Sequence, residues 1–139
     1  MLSHAAITRQ LDADLIARHG LTSRDYEALL FLAQEPDRNL PMSELATRTM
    51  LTRSGVTRLV DGLTQIGLVE RVSCPKDARV SYAQLTDEGM QRLREAGRTH
   101  AEGIRATFLH HFSDDEVAQL ADLLGRLPGV DGAPACTVE

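Results

Sequence analysis

The chain has 139 residues, a length that fits one domain with an appended element. With 42% apolar residues it can build a core and is not wholesale disordered. Its 4% aromatic content, with no Trp, leaves that core to Leu, Ile, Val and Ala. The formal net charge of -5 argues at first sight against a polyanionic partner, and no run approaches the ~18 apolar residues of a membrane span.

The first segment, from about Leu2 to Arg18, repeats Ile7, Leu11 and Leu15 at helical spacing, and Gly20 is placed to end it. Thr22, with Asp25 after it, opens a second helix carrying Tyr26, Leu29, Leu30 and Ala33, which Glu35-Pro36-Asp37 stops. A short third helix follows Pro41 and ends near Thr49 or Met50. Thr52 caps a fourth, whose expected apolar stripe is Val56, Leu59, Val60, Leu63 and Ile66, with Gly67 closing it. Leu68–Val72 and Val80–Leu85 read as two strands of a hairpin whose turn, Cys74 to Arg79, is polar and basic. Thr86 caps a long helix expected to run to about Phe112, with Met90, Leu93, Gly97, His100, Ile104 and Phe108 on one face. Ser113 and Glu116 form the S-x-x-E signature of a last helix with the stripe Val117, Leu120, Ala121, Leu124 and Leu127. Pro128-Gly129 ends it, and residues 132–139 read as a frayed tail. The order is α-α-α-α-β-β-α-α. Short helices followed by a two-stranded hairpin make a winged helix-turn-helix, a mainly α fold with a small β-hairpin wing.

Charge position matters more than the sum. From Thr47 to Arg79 the bases Arg48, Arg53, Arg58, Arg71, Lys76 and Arg79 outnumber the acids Asp61, Glu70 and Asp77, while the rest of the chain is acidic. The outer face of the fourth helix offers Arg53, Ser54, Thr57 and Arg58 in its first two turns, side chains that reach base edges and phosphates. The same pattern fits a solvated amphipathic helix with incidental arginines. At the hairpin tip, an arginine such as Arg79 suits a minor groove, and Asp77 can orient its guanidinium beside Lys76. A solvated turn with Asp77 and Arg79 paired is the other reading. No nucleophile–base pairing, phosphate loop or metal signature points to an enzyme, and no cofactor is expected.

The runs Ser43-Glu44-Leu45-Ala46, Thr52 to Leu63, Gly67-Leu68-Val69-Glu70-Arg71, Asp77-Ala78-Arg79 and Leu85-Thr86-Asp87-Glu88-Gly89 occur in register. In them the chain resembles the MarR (multiple antibiotic resistance regulator) family over about residues 5 to 127. The resemblance implies a homodimer that binds a pseudo-palindromic double-stranded DNA operator, usually as a repressor released by a small molecule. It also implies a division into a dimerisation helix at 1–20, a winged domain at 21–86, dimerisation helices at 87–127 and a flexible tail at 128–139. It places Arg53, Ser54, Thr57 and Arg58 on the major-groove face, and Arg79 in the minor groove with Asp77 as its orienting partner. An effector pocket is implied between the first, second and fifth helices, where Arg9, His19 and Tyr26 could receive a small aromatic or phenolic acid. An effector-independent regulator or activator, or a redox- or metal-responsive member, are the alternatives. Two departures stand out: Gly55 where the family often has Ser or Thr, and Ala78 where it is often basic.

Other residues invite sites. His110 and His111 are adjacent, hence about 100° apart on a helix, and do not simply chelate one ion even with His100 near. Cys74 at the wing start has a basic neighbourhood that favours thiolate chemistry, yet Cys74 and Cys136 form no redox-like spacing. Met1-Leu2-Ser3-His4 shows no basic and apolar leader pattern, and a reduced cytoplasmic protein is expected.

Overall fold

The computed structural model describes residues 2–73 and 80–127. Five of the residues singled out above (Cys74, Lys76, Asp77, Ala78 and Arg79), together with Cys136 and the tail, lie outside the described residues.

The described elements are α1 (Leu2–His19), α2 (Ser23–Gln34), β1 (Asn39–Pro41), α3 (Met42–Arg48), α4 (Arg53–Gln65), β2 (Val69–Ser73), β3 (Ser81–Leu85), α5 (Asp87–Thr107) and α6 (Asp114–Gly125). A 3-10 turn, Leu109–His111, joins α5 to α6. Helix starts follow local chemistry. Thr22, Thr52, Thr86 and Ser113 are N-caps whose hydroxyls accept from the N–H of Asp25, Gly55, Gly89 and Glu116. At Thr22 and Ser113 the acid also accepts from the cap N–H, closing a reciprocal box.

The hairpin is part of a larger sheet. β3 is central in the antiparallel order β1-β3-β2, with Ala83 opposite both Leu40 and Arg71. β1 was not expected. It has three residues, of which Leu40 alone is buried, so it carries no alternating pattern of its own. Its pairing with β3 comes from distant chain.

The long helix stops at Thr107 rather than near Phe112. Phe108 leaves helical geometry at φ -126 and ψ -63, and the chain tightens into the 3-10 turn that carries His110 and His111. Its buried residues are Gly89, Leu93, Ala96, Gly97, Thr99 and Gly103. The expected Met90, His100, Ile104 and Phe108 are only partly buried. The buried face is shifted because α5 packs on both α1 and α2. At Gly89 a Cβ would collide with the Leu68 carbonyl oxygen, so glycine lets α5 start hard against the wing. On α4, Val56, Val60 and Leu63 are buried, but Ile66 is 51% exposed. Ile66 is the C-cap, with φ -98 and ψ 9, and falls off the helical stripe.

The core joins these elements through Leu15, Leu21, Leu29, Leu45, Val60 and Leu68, all fully buried. Polar contacts bind the helix ends to one another. Arg92 donates to the carbonyl of His19 at 3.0 Å, and Arg24 to that of Thr49 at 3.2 Å. Cations at helix C-termini satisfy free carbonyls and oppose the negative end of the dipole. No described helix is long and apolar enough to cross a membrane.

Candidate nucleic-acid interface

α4 is held by the side chains it buries, and that anchoring decides what it shows outward. With Val56, Val60 and Leu63 in the core, Arg53, Ser54 and Arg58 are exposed and Thr57 is half-buried. Thr52, Arg53, Ser54, Thr57 and Arg58 line one shallow concave surface. The four α4 residues singled out from the sequence are thus brought together. Two hydroxyls have internal partners: Thr57 Oγ1 donates to the Arg53 carbonyl at 2.9 Å, and Ser54 Oγ lies 3.2 Å from Thr52 Oγ1.

The arginines of the basic stretch differ in availability. Arg48 bonds to Glu44 at 2.6 Å and Glu35 at 2.8 Å, which raises its pKa and withdraws its charge from the surface field. Arg71 is bridged to Asp61 at 2.7 Å. Arg53 and Arg58 have no ion-pair partner among the described residues. The net positive stretch therefore reduces, in its described part, to two unneutralised guanidiniums at the start of one helix. Free N–H groups at that helix end add to the local affinity for anions. A groove of ≈ 530 Å³ separates this helix from β3, lined by Pro41, Met42, Arg53, Thr57, Arg71 and Val80 among others.

The turn from α3 into α4 is tight. Leu51 N–H bonds to the Ala46 carbonyl at 2.9 Å and Met50 N–H to that of Thr47 at 3.1 Å. Together they form a paired C-terminal capping motif. Met50 sits in it at φ 52 with its side chain 86% exposed.

Of the residues implied in effector binding, His19 and Tyr26 fall at the junction of α1, α2 and α5. His19 Nε2 is 2.7 Å from Thr99 Oγ1, and burial lowers the His19 pKa. The Tyr26 ring lies 5.1 Å from that of His100. His100 is partly buried, which lowers its pKa, and its Nδ1 is a buried atom with no hydrogen-bond partner. His19 and Tyr26 thus meet consecutive residues of α5, whereas Arg9 is exposed on α1. The His110 and His111 rings, 5.0 Å apart, are both exposed. Among the described residues no group of three or more His, Cys, Asp or Glu converges as a metal site would require.

A family model described as MarR family matches residues 19–80, the stretch holding α2 through β2. The transcriptional regulator MhqR of Bacillus subtilis is 30% identical over 112 residues, covering 81% of this chain and 75% of MhqR. The chain belongs to the MarR family. The transcriptional repressor YetL of the same organism is 33% identical over 111 residues, covering 80% of this chain and 66% of YetL. The MarR-family regulator Sco3205 of Streptomyces coelicolor, solved in complex with DNA, has a TM-score of 0.78 and 31% identity. That match covers 88% of this chain and 77% of Sco3205. The MarR fold of six helices with a small antiparallel sheet is that of the described residues. This chain is a transcriptional regulator of that family.

The sequence did not reveal which arginines are neutralised. Arg48–Glu44 is an i, i+4 pair within one helix, but Arg48–Glu35 and Arg71–Asp61 depend on how separate elements meet.

Proposed function

We propose that this MarR-family chain binds a pseudo-palindromic DNA operator as a homodimer, and represses until a small aromatic or phenolic effector releases it. The observation that carries the reading is the exposed pair Arg53 and Arg58, without ion partners among the described residues, beside Ser54 and Thr57 on an anchored helix. Arginine suits bidentate contact with guanine, and the hydroxyls suit bases or phosphates. Arg79 would then extend the contact into the neighbouring minor groove, with Asp77 orienting its guanidinium and Lys76 beside them on the wing. The DNA complex of Sco3205 and the naming of YetL as a repressor support the reading.

The dimer would form through α1, α5 and α6. Leu123, Leu124 and Leu127 are 50%, 48% and 52% exposed, and no residue of α6 is buried. Apolar side chains at helical spacing along an uncovered helix favour burial against a partner. Two copies would set their recognition helices about 34–36 Å apart, one turn of DNA, or a multiple of it. An aromatic acid at Arg9, His19 and Tyr26 would bias that spacing, and a coupling of about 1–3 kcal/mol is enough for strong release.

The test is selection of bound duplexes from a random pool, followed by anisotropy titrations over a range of salt. An inverted repeat should emerge, with affinity falling steeply as salt rises. Arg58→Ala should cost about 1–3 kcal/mol against the selected site. Sequence-blind, salt-insensitive association would overturn the reading.

A further inference from the structure

Asp61 is the one acid on α4. It follows Arg53 and Thr57 along the same row of side chains, since positions four apart on a helix are neighbours. A bare carboxylate on the row that faces DNA would repel phosphates and weaken docking of the whole helix. Arg71, on β2, answers that charge. Its Nη2 donates to Asp61 Oδ1 at 2.7 Å and lies 3.4 Å from the Thr57 carbonyl oxygen. One guanidinium therefore joins the wing strand to the recognition helix at two points. Arg71 also shares a groove with Arg53 and Thr57.

The side chains of the pair are 36% and 52% exposed. Exposed ion pairs contribute little to stability. The bridge is therefore poorly placed to hold the fold together and well placed to set the angle between two reading elements.

We propose that Arg71 is a positioning residue for DNA recognition. Through Asp61 it fixes the wing relative to α4 and cancels the one carboxylate on that helix, without itself touching a phosphate. The proposal rests on the reading of α4 as the helix that contacts DNA.

The experiment compares wild type, Arg71→Ala, Arg71→Lys, Asp61→Asn and the Arg71→Ala/Asp61→Asn double variant. Each is titrated, as the full chain, with the selected duplex and with a scrambled duplex of equal length over a range of salt. Urea unfolding of each variant confirms an intact fold. Arg71→Ala should lower affinity for the selected duplex roughly tenfold, within the span that interacting neighbours show. It should leave the slope of log affinity against log salt unchanged. Asp61→Asn should strengthen binding to the scrambled duplex and narrow the preference for the selected one. The double variant should be no worse than Arg71→Ala alone, and Arg71→Lys should recover part of the loss. A salt slope reduced by about one in Arg71→Ala, with effects that add in the double variant, would make Arg71 a phosphate contact and overturn the proposal. Unchanged preference in both single variants would overturn it too. If wild type itself fails to distinguish the two duplexes, the DNA-binding reading falls, and the proposal with it.

Discussion

Three described helices end through a residue in the left-handed region, and two of the three use glycine. Gly20 has φ 67 and Gly67 has φ 76, while Met50 has φ 52 at the end of α3. A Cβ in that conformation costs about 1–2 kcal/mol, and an 86% exposed side chain has little packing to offset it. Met50→Gly should therefore raise stability by up to about 1 kcal/mol, the gain being trimmed by the freedom glycine adds to the unfolded chain. The urea midpoint should rise at constant slope, and Met50→Val should lower it. A lower midpoint for Met50→Gly would mean that the methionine side chain is held by contacts. The glycines announced their helix ends in the sequence. Met50 announced nothing, so the end of α3 could be placed only to within a residue. The exposed face of α4 was legible for the opposite reason: its buried residues recur at helical spacing, so its outward residues are fixed by subtraction.

Elements were legible where their signals are local. The caps Thr22, Thr52, Thr86 and Ser113 act on residues three along and can be read directly from the chain. Contacts between elements carry no such mark. β1 exists because β3 pairs with it, and α2 has a second cap that no spacing rule reveals. Asp12, on α1, accepts from the Ser23 N–H at 2.7 Å. That bond holds the Asp12 carboxyl below its ordinary pKa of 3.8. A depressed folded-state pKa means that the stabilisation is present above the unfolded value and is lost as pH falls through the folded one. Asp12→Ala should cost about 1 kcal/mol at neutral pH, as loss of an N-terminal cap does. The gap between wild type and variant in urea unfolding should close under acid, below the ordinary carboxylate range. Asp12→Asn, which keeps an acceptor oxygen, should retain part of the stability and show no such closure. A gap that is the same at every pH would remove the charge from the explanation.

For the whole molecule the question is what α6 is for. The hydrophobic core is assembled from α1 to α5 and the sheet, and α6 adds no buried residue to it. The sequence showed the apolar stripe of α6 but not its partner, because periodicity says which face is apolar and not what covers it. Phe112 and Ile16 are also exposed, at 41% and 48%. If a second copy covers these faces, replacing Leu123 and Leu124 together by Glu should yield monomer in sedimentation velocity. The thermal transition of the winged part should persist, since neither leucine belongs to the core. DNA binding should separate the two functions further. A dimer engages its second half-site at the effective concentration set by the first, and losing that linkage costs about 10²–10⁴ in avidity. The double variant should therefore bind a full inverted repeat no better than an isolated half-site, while its contacts to that half-site stay unchanged. A variant that sediments as wild type, or a wild type that is already monomeric, would leave α6 without this role. The acidic character of the chain outside the basic stretch fits the same arrangement, because a dimer joined at its helical end presents two reading surfaces on one side and keeps its negative charge away from the phosphates.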